Sequence, residues 1–143
     1  MVSKRTMVVV LVLAVLSVSV SFAESRISVG LWVSMDDGTY RTRLINEVVH
    51  QLNNSEEWPF EVVLNGWNTS VHVILSGMVI PTVPNGYAWG VTYTPIDYPR
   101  YTNGTVATTE ASISGMNWLA RLVVRFVEEQ LYILRDDLVS GSL

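Results

Sequence analysis

The chain has 143 residues, no cysteine and a formal net charge of −4. That length fits one domain. The lack of cysteine excludes a disulfide framework, and the acidic balance leaves no basic patch for a nucleic-acid partner.

Residues 1–23 read as a secretory signal. Lys4 and Arg5 are a basic start, residues 7–22 are an uncharged apolar run, and Ser21 and Ala23 are small residues at the −3 and −1 positions of a cleavage site before Glu24. The run is shorter than the ~20 residues of a membrane-spanning helix. Membrane contact is therefore expected only through this segment, if it stays uncleaved. Without cysteine, a lipid-anchored lipoprotein signal is excluded. Residues 24–143 then form a single α+β domain with an extracytoplasmic location, periplasmic or secreted. Its 7 basic residues, all arginine, face 13 acidic ones.

Residues 26–35 alternate, with Ile27, Val29, Leu31, Val33 and Met35 on one side and Ser28, Gly30, Trp32 and Ser34 on the other. This period of two predicts a half-buried strand. Asp36, Asp37 and Gly38 break it and offer capping carboxylates. Leu44, Ile45, Val48, Val49 and Leu52 then form one helical stripe over residues 40–53. Residues 60–64 read as a short strand, and Asn65-Gly66 as a turn.

Residues 71–97 are the clearest hairpin. Val71, Val73, Leu75 and Val79 alternate on the first strand, which Gly77 interrupts, hinting at a bulge or a close approach. Pro81, Pro84, Asn85 and Gly86 supply turn chemistry. The return strand places Tyr87, Trp89, Val91 and Tyr93 on one face and Ala88, Gly90, Thr92 and Thr94 on the other. Asn103-Gly104 reads as a tight turn before a threonine-rich edge strand over residues 105–113. Ser114-Gly115 reads as a break. Residues 117–138 give the longest helix, with an i,i+4 attraction between Arg125 and Glu129, a solvated Asp136-Asp137 end and a frayed tail after Leu138.

The expected fold is α+β: a mostly antiparallel sheet of four or five strands in the order β-α-β-β-β-(β)-α, with two helices packed on one face. The short strand at residues 60–63, the V-x-V-x-L-S-G-like run ending at Gly77, Asp97 and the Asn103-Gly104-Thr105-Val106 segment together resemble the small α/β envelope domain of the TolB amino-terminal, CsgG–FlgO and LpoB type. The likeness is topological. It implies a non-enzymatic interaction domain of the cell envelope and transfers no residue roles.

Candidate chemistry is sparse. His50 and His72 are the only histidines and lie far apart, so no metal site is expected, and no cofactor. Asp36-Asp37 lacks the further ligands of a calcium loop. There is no G-x-S-x-G elbow and no phosphate-binding glycine loop. Glu61, Asp97 and Glu110 are scattered carboxylates that serve a hydrolase only if they converge. Asn53, Asn68 and Asn103 begin N-glycosylation patterns in expected loops.

The aromatic load stands out. Trp32, Tyr87, Trp89 and Tyr93 are the candidate binding residues, because exposed rings on a sheet stack on sugars or anchor proteins. The competing expectation is that Tyr87, Trp89 and Tyr93 form the core face. The expected function is an exported envelope interaction or assembly protein without catalytic activity, partnered by an envelope protein or by itself. The alternative is a carbohydrate- or small-ligand-binding module using the aromatic row.

Overall fold

The computed structural model describes residues 25–141. The period-two segments become strands β1 (Ile27–Ser34), β2 (Phe60–Leu64), β3 (Val71–Val79), β4 (Gly86–Pro95) and β5 (Asn103–Glu110). The helical stripes become α1 (Gly38–Asn53) and α2 (Ile113–Ser140), and a 3-10 turn spans Pro99–Tyr101. The signal segment lies outside the described residues. Among those described, no helix is long and apolar enough to cross a membrane.

The five strands form one sheet in the order β2-β1-β3-β4-β5. It is more mixed than expected. β1 pairs parallel with both β2 and β3, while β3, β4 and β5 form an antiparallel meander. The cause lies in α1, which returns the chain so that β2 runs in the same direction as β1.

Helix starts follow their caps. Asp37 accepts a hydrogen bond from the Tyr40 amide at 3.0 Å, so α1 begins earlier than residue 40. Ser112 accepts one from the Gly115 amide at 3.0 Å, which moves the start of α2 back to Ile113. Ser114-Gly115, expected as a break, is the first turn of that helix. A Cβ at Gly115 would lie 2.1 Å from the Glu110 carbonyl oxygen, so glycine lets the helix start against the end of β5. Asn103-Gly104 opens β5 rather than turning before it.

Both helices cover one sheet face. Val29, Leu31, Val33, Val71, Val73 and Leu75 meet Leu44, Val48 and Leu52 of α1 and Met116, Leu119, Val123 and Val127 of α2 in one core. Tyr87, Trp89, Val91 and Tyr93 belong to it. Gly77 is a close approach, with no bulge in its register: a Cβ there would lie 2.7 Å from the Trp89 indole.

Side-chain bonds pin the connections. Ser55 donates to Glu128 at 2.7 Å, Tyr132 donates to Glu57, and Arg135 lies 4.7 Å over the Tyr132 ring. Asp137, expected as solvated, accepts from Tyr101 at 2.7 Å and ties the 3-10 turn to α2. The helix continues to Ser140 and is capped by Gly141 in the left-handed region (φ 77°). Among the described residues the ion pair that closes is Arg135–Asp136 at 3.3 Å; Arg125 and Glu129 do not form one. Asn53 and Asn103 are element ends, whereas Asn68 lies in a connection.

Candidate functional site

The aromatic row is core. Tyr93 is fully buried, and Tyr87 and Trp89 nearly so. Trp89 donates through its indole nitrogen to Thr109 at 2.9 Å, and Tyr87 donates to Asp36 at 2.9 Å. These three rings therefore have no face to offer a ligand, which corrects the expectation that they bind one. The reason is geometric: two helices cover a single face, and the largest rings bury the most apolar area there.

Trp32, the fourth candidate, points the other way, onto the uncovered face. Strand alternation and register put Ser28, Gly30, Trp32 and Ser34 of β1 beside Glu61 and Val63 of β2 and beside His72, Ile74 and Ser76 of β3. Met78 extends β3, and β4 and β5 continue the face with Ala88, Gly90, Thr92, Thr94, Val106 and Thr108. Ile74, Met78 and Val106 are exposed, Met78 at 71% and Val106 at 79%. The only carboxylates on these open-face strand positions, Glu61 and Glu110, sit on opposite outer strands.

That separation keeps Glu61 and Glu110 from acting as a pair. Glu61 and Glu110 are four strand spacings apart, roughly 19 Å. Asp97 follows the end of β4 that pairs with Val71, and Glu110 pairs with Gly86 at the other end. The two carboxylates needed for glycoside hydrolysis stand within about 10 Å of each other. Among the described residues no group of three or more His, Asp or Glu side chains is placed to hold a metal ion.

What the fold does assemble on the open face is a three-ring cluster. β2 and β3 flank β1 and run parallel to each other, so the connection between them must cross β1. It does so in six residues, 65–70, laid over the open face as a strap. The crossing point is Gly30. A Cβ there would lie 2.2 Å from the Gly66 carbonyl oxygen and 2.7 Å from the Thr69 hydroxyl, so only glycine lets the strap down. Asn65 enters the strap at φ 55°, in the left-handed region. The Asn65 amide donates to the Leu31 carbonyl at 2.9 Å, and the Ser70 amide donates to the Ser28 carbonyl at 3.1 Å, fastening both ends to β1. Thr69 closes the strap on itself, with its hydroxyl within hydrogen-bond distance of the Gly66 and Val71 carbonyls.

The strap carries Trp67 to its apex. The Trp67 ring sits 4.9 Å from Trp32, tilted by 56°, and 5.7 Å from His72, nearly edge-on at 80°. His72 is in turn 4.8 Å from Trp32. Its Nε2 lies 3.2 Å from the Trp67 carbonyl oxygen. A carbonyl oxygen accepts, so Nε2 is the donor in this contact. Trp67 nevertheless remains 77% exposed. A tryptophan held in place yet turned to water is the usual form of a recognition anchor.

Trp67 and His72 are the site residues that sequence reasoning missed. Trp67 reads as a lead into the hairpin, and His72 as a strand histidine. The local signal in the sequence is Gly30 on a strand whose same-face neighbour is Trp32, with an Asn65-Gly66 turn after the next short strand.

No protein-family description matches the chain, and no curated protein matches it. Among solved structures, a PelC variant from Paraburkholderia phytofirmans, described as a dodecamer, is similar at 12% identity. It covers 74% of this chain and 86% of its own, with a TM-score of 0.43. A protein assigned as a lipoprotein from Caulobacter crescentus is similar at 14% identity, covering 79% and 88%, with a TM-score of 0.26. Neither bears the name of the TolB, CsgG–FlgO or LpoB groups. Both scores fall below one half.

Proposed function

We propose that this is an exported interaction or assembly protein of the cell envelope, without catalytic activity, that recognises its partner through the open sheet face. The partner is another envelope protein or a second copy of the chain. The observation that supports this reading is that, among the described residues, both helices pack on one side, leaving Ile74, Met78 and Val106 exposed on the other. Five strands at about 4.8 Å spacing and about six residues each at about 3.3 Å present a face on the order of 500 Å². That approaches the ~600 Å² per partner of a small specific interface. Between its two carboxylate margins the face carries no fixed charge, as the centre of an interface requires.

A photo-crosslinking residue at Met78 or Val106, in cells making the full chain, should yield an adduct of defined mass. The same residue at Arg43, exposed on α1, should not. Equal adducts from all three positions, or none from Met78 and Val106, would falsify the proposal.

A further inference from the structure

We infer that the strap end of the open face is a binding site for a neutral saccharide, with Trp67 as the stacking platform. The inference rests on the open face being the recognition surface and names the ligand class at one end of it. Three observations carry it. First, Trp67 is 77% exposed yet braced, with Trp32 and His72 both against its ring and the strap bonded to β1 at each end. Rigid exposed indole is suited to the C–H face of a pyranose, because the electron-rich ring face attracts the slightly positive sugar hydrogens with little ordering cost.

Second, the polar side chains next to the rings on this face are neutral hydroxyls. Thr94 is directly opposite His72 on β4, and Ser28 and Ser70, bonded to each other at 3.3 Å, mark the end of the strap. A few fixed polar groups around an apolar platform are what orients a small polar ligand. Third, the cluster itself contains no carboxylate, arginine or lysine. A cationic headgroup would want an acid beside the rings, and an anionic ligand would want an arginine. A nucleobase, which also stacks on indole, brings phosphates that the acidic chain repels.

The test is a titration of the full chain with neutral gluco-oligosaccharides and N-acetylglucosamine oligomers. Uronic-acid oligomers, phosphocholine and phosphatidylcholine–phosphatidylglycerol vesicles run in parallel. Indole N–H resonances are read for each tryptophan, and Trp67→Ala, Trp67→Phe and Trp89→Phe are compared. At least one neutral oligosaccharide should shift the Trp67 and Trp32 signals saturably and leave Trp89 unmoved. Trp67→Ala should weaken that binding by roughly tenfold or more, while Trp67→Phe retains part of it. The inference is overturned if no neutral sugar shifts those signals, if the shift survives Trp67→Ala, or if only phosphocholine, vesicles or the charged oligomers produce it. Adducts from Met78 that persist without any sugar binding would sink the saccharide site alone. Loss of both would sink the wider reading with it.

Discussion

Gly30 is the smallest residue in the candidate site and the one on which it depends. Its missing side chain is the space the strap occupies, and the strap is what brings Trp67 to Trp32. Gly30→Ala puts a methyl group 2.2 Å from the Gly66 carbonyl oxygen. The expected cost is about 1–3 kcal/mol, typical of overpacking. The strap should lift, so nuclear Overhauser contacts between the Trp32 and Trp67 rings should disappear while the core signals of Trp89 persist. Retention of the ring contacts in Gly30→Ala would show that the crossing does not need glycine. Single-residue roles of this kind were only partly legible. Gly30 sits in a strand pattern that is clear without it, and nothing local announces which segment will cross above it.

At the scale of elements, the termini taught more than the middles. Alternation and helical stripes located all five strands and both helices, because side-chain period follows directly from backbone geometry. The ends moved where a cap or a close approach intervened. Ser112 begins α2 four residues before the apolar stripe suggested, and Gly115 is an approach to Glu110 rather than a break. Ser112→Ala should cost about 1 kcal/mol through loss of the cap, read as a lowered urea midpoint with unchanged slope. Gly115→Ala should cost more than Ser112→Ala, because β5 or the first turn of α2 has to shift to admit the methyl group. A smaller loss in Gly115→Ala would mean that the contact relaxes freely.

For the whole molecule, burial and acidic partners act together on the tyrosines. Burial pushes the Tyr93 hydroxyl well above its usual value near 10, and that hydroxyl has no hydrogen-bond partner. Burial, then the bond to Asp36, raises Tyr87. Bonds to Asp137 and Glu57, each with some burial, raise Tyr101 and Tyr132. A phenol whose folded pKa exceeds its unfolded one stabilises the fold below the unfolded value, and that stability is lost as pH rises above about 10. Urea melts should therefore show stability falling from pH 10 upward. Tyr93→Phe should reduce that fall while changing stability at pH 7 by less than about 1 kcal/mol, since no bond is lost. An alkaline loss identical in wild type and Tyr93→Phe would contradict the assignment.

The division between chain and fold is sharp here. Local pattern determined the elements, their order and the existence of one apolar face per strand, since each depends on neighbours within a few residues. It also marked Trp32 as lying opposite the apolar side of β1. Pattern left open which face of β4 the helices would cover, because an aromatic row reads equally as core or as binding surface. The tertiary structure decided that by packing α1 and α2 on the side of Tyr87, Trp89 and Tyr93. It alone joined Trp67 to Trp32 and His72, which come from a strap, a strand and the strand beside it. That contact depends on β2 and β3 both running parallel to β1, so that six residues have to pass over Gly30. Strand direction is a property of the whole sheet, and no stretch of sequence carries it.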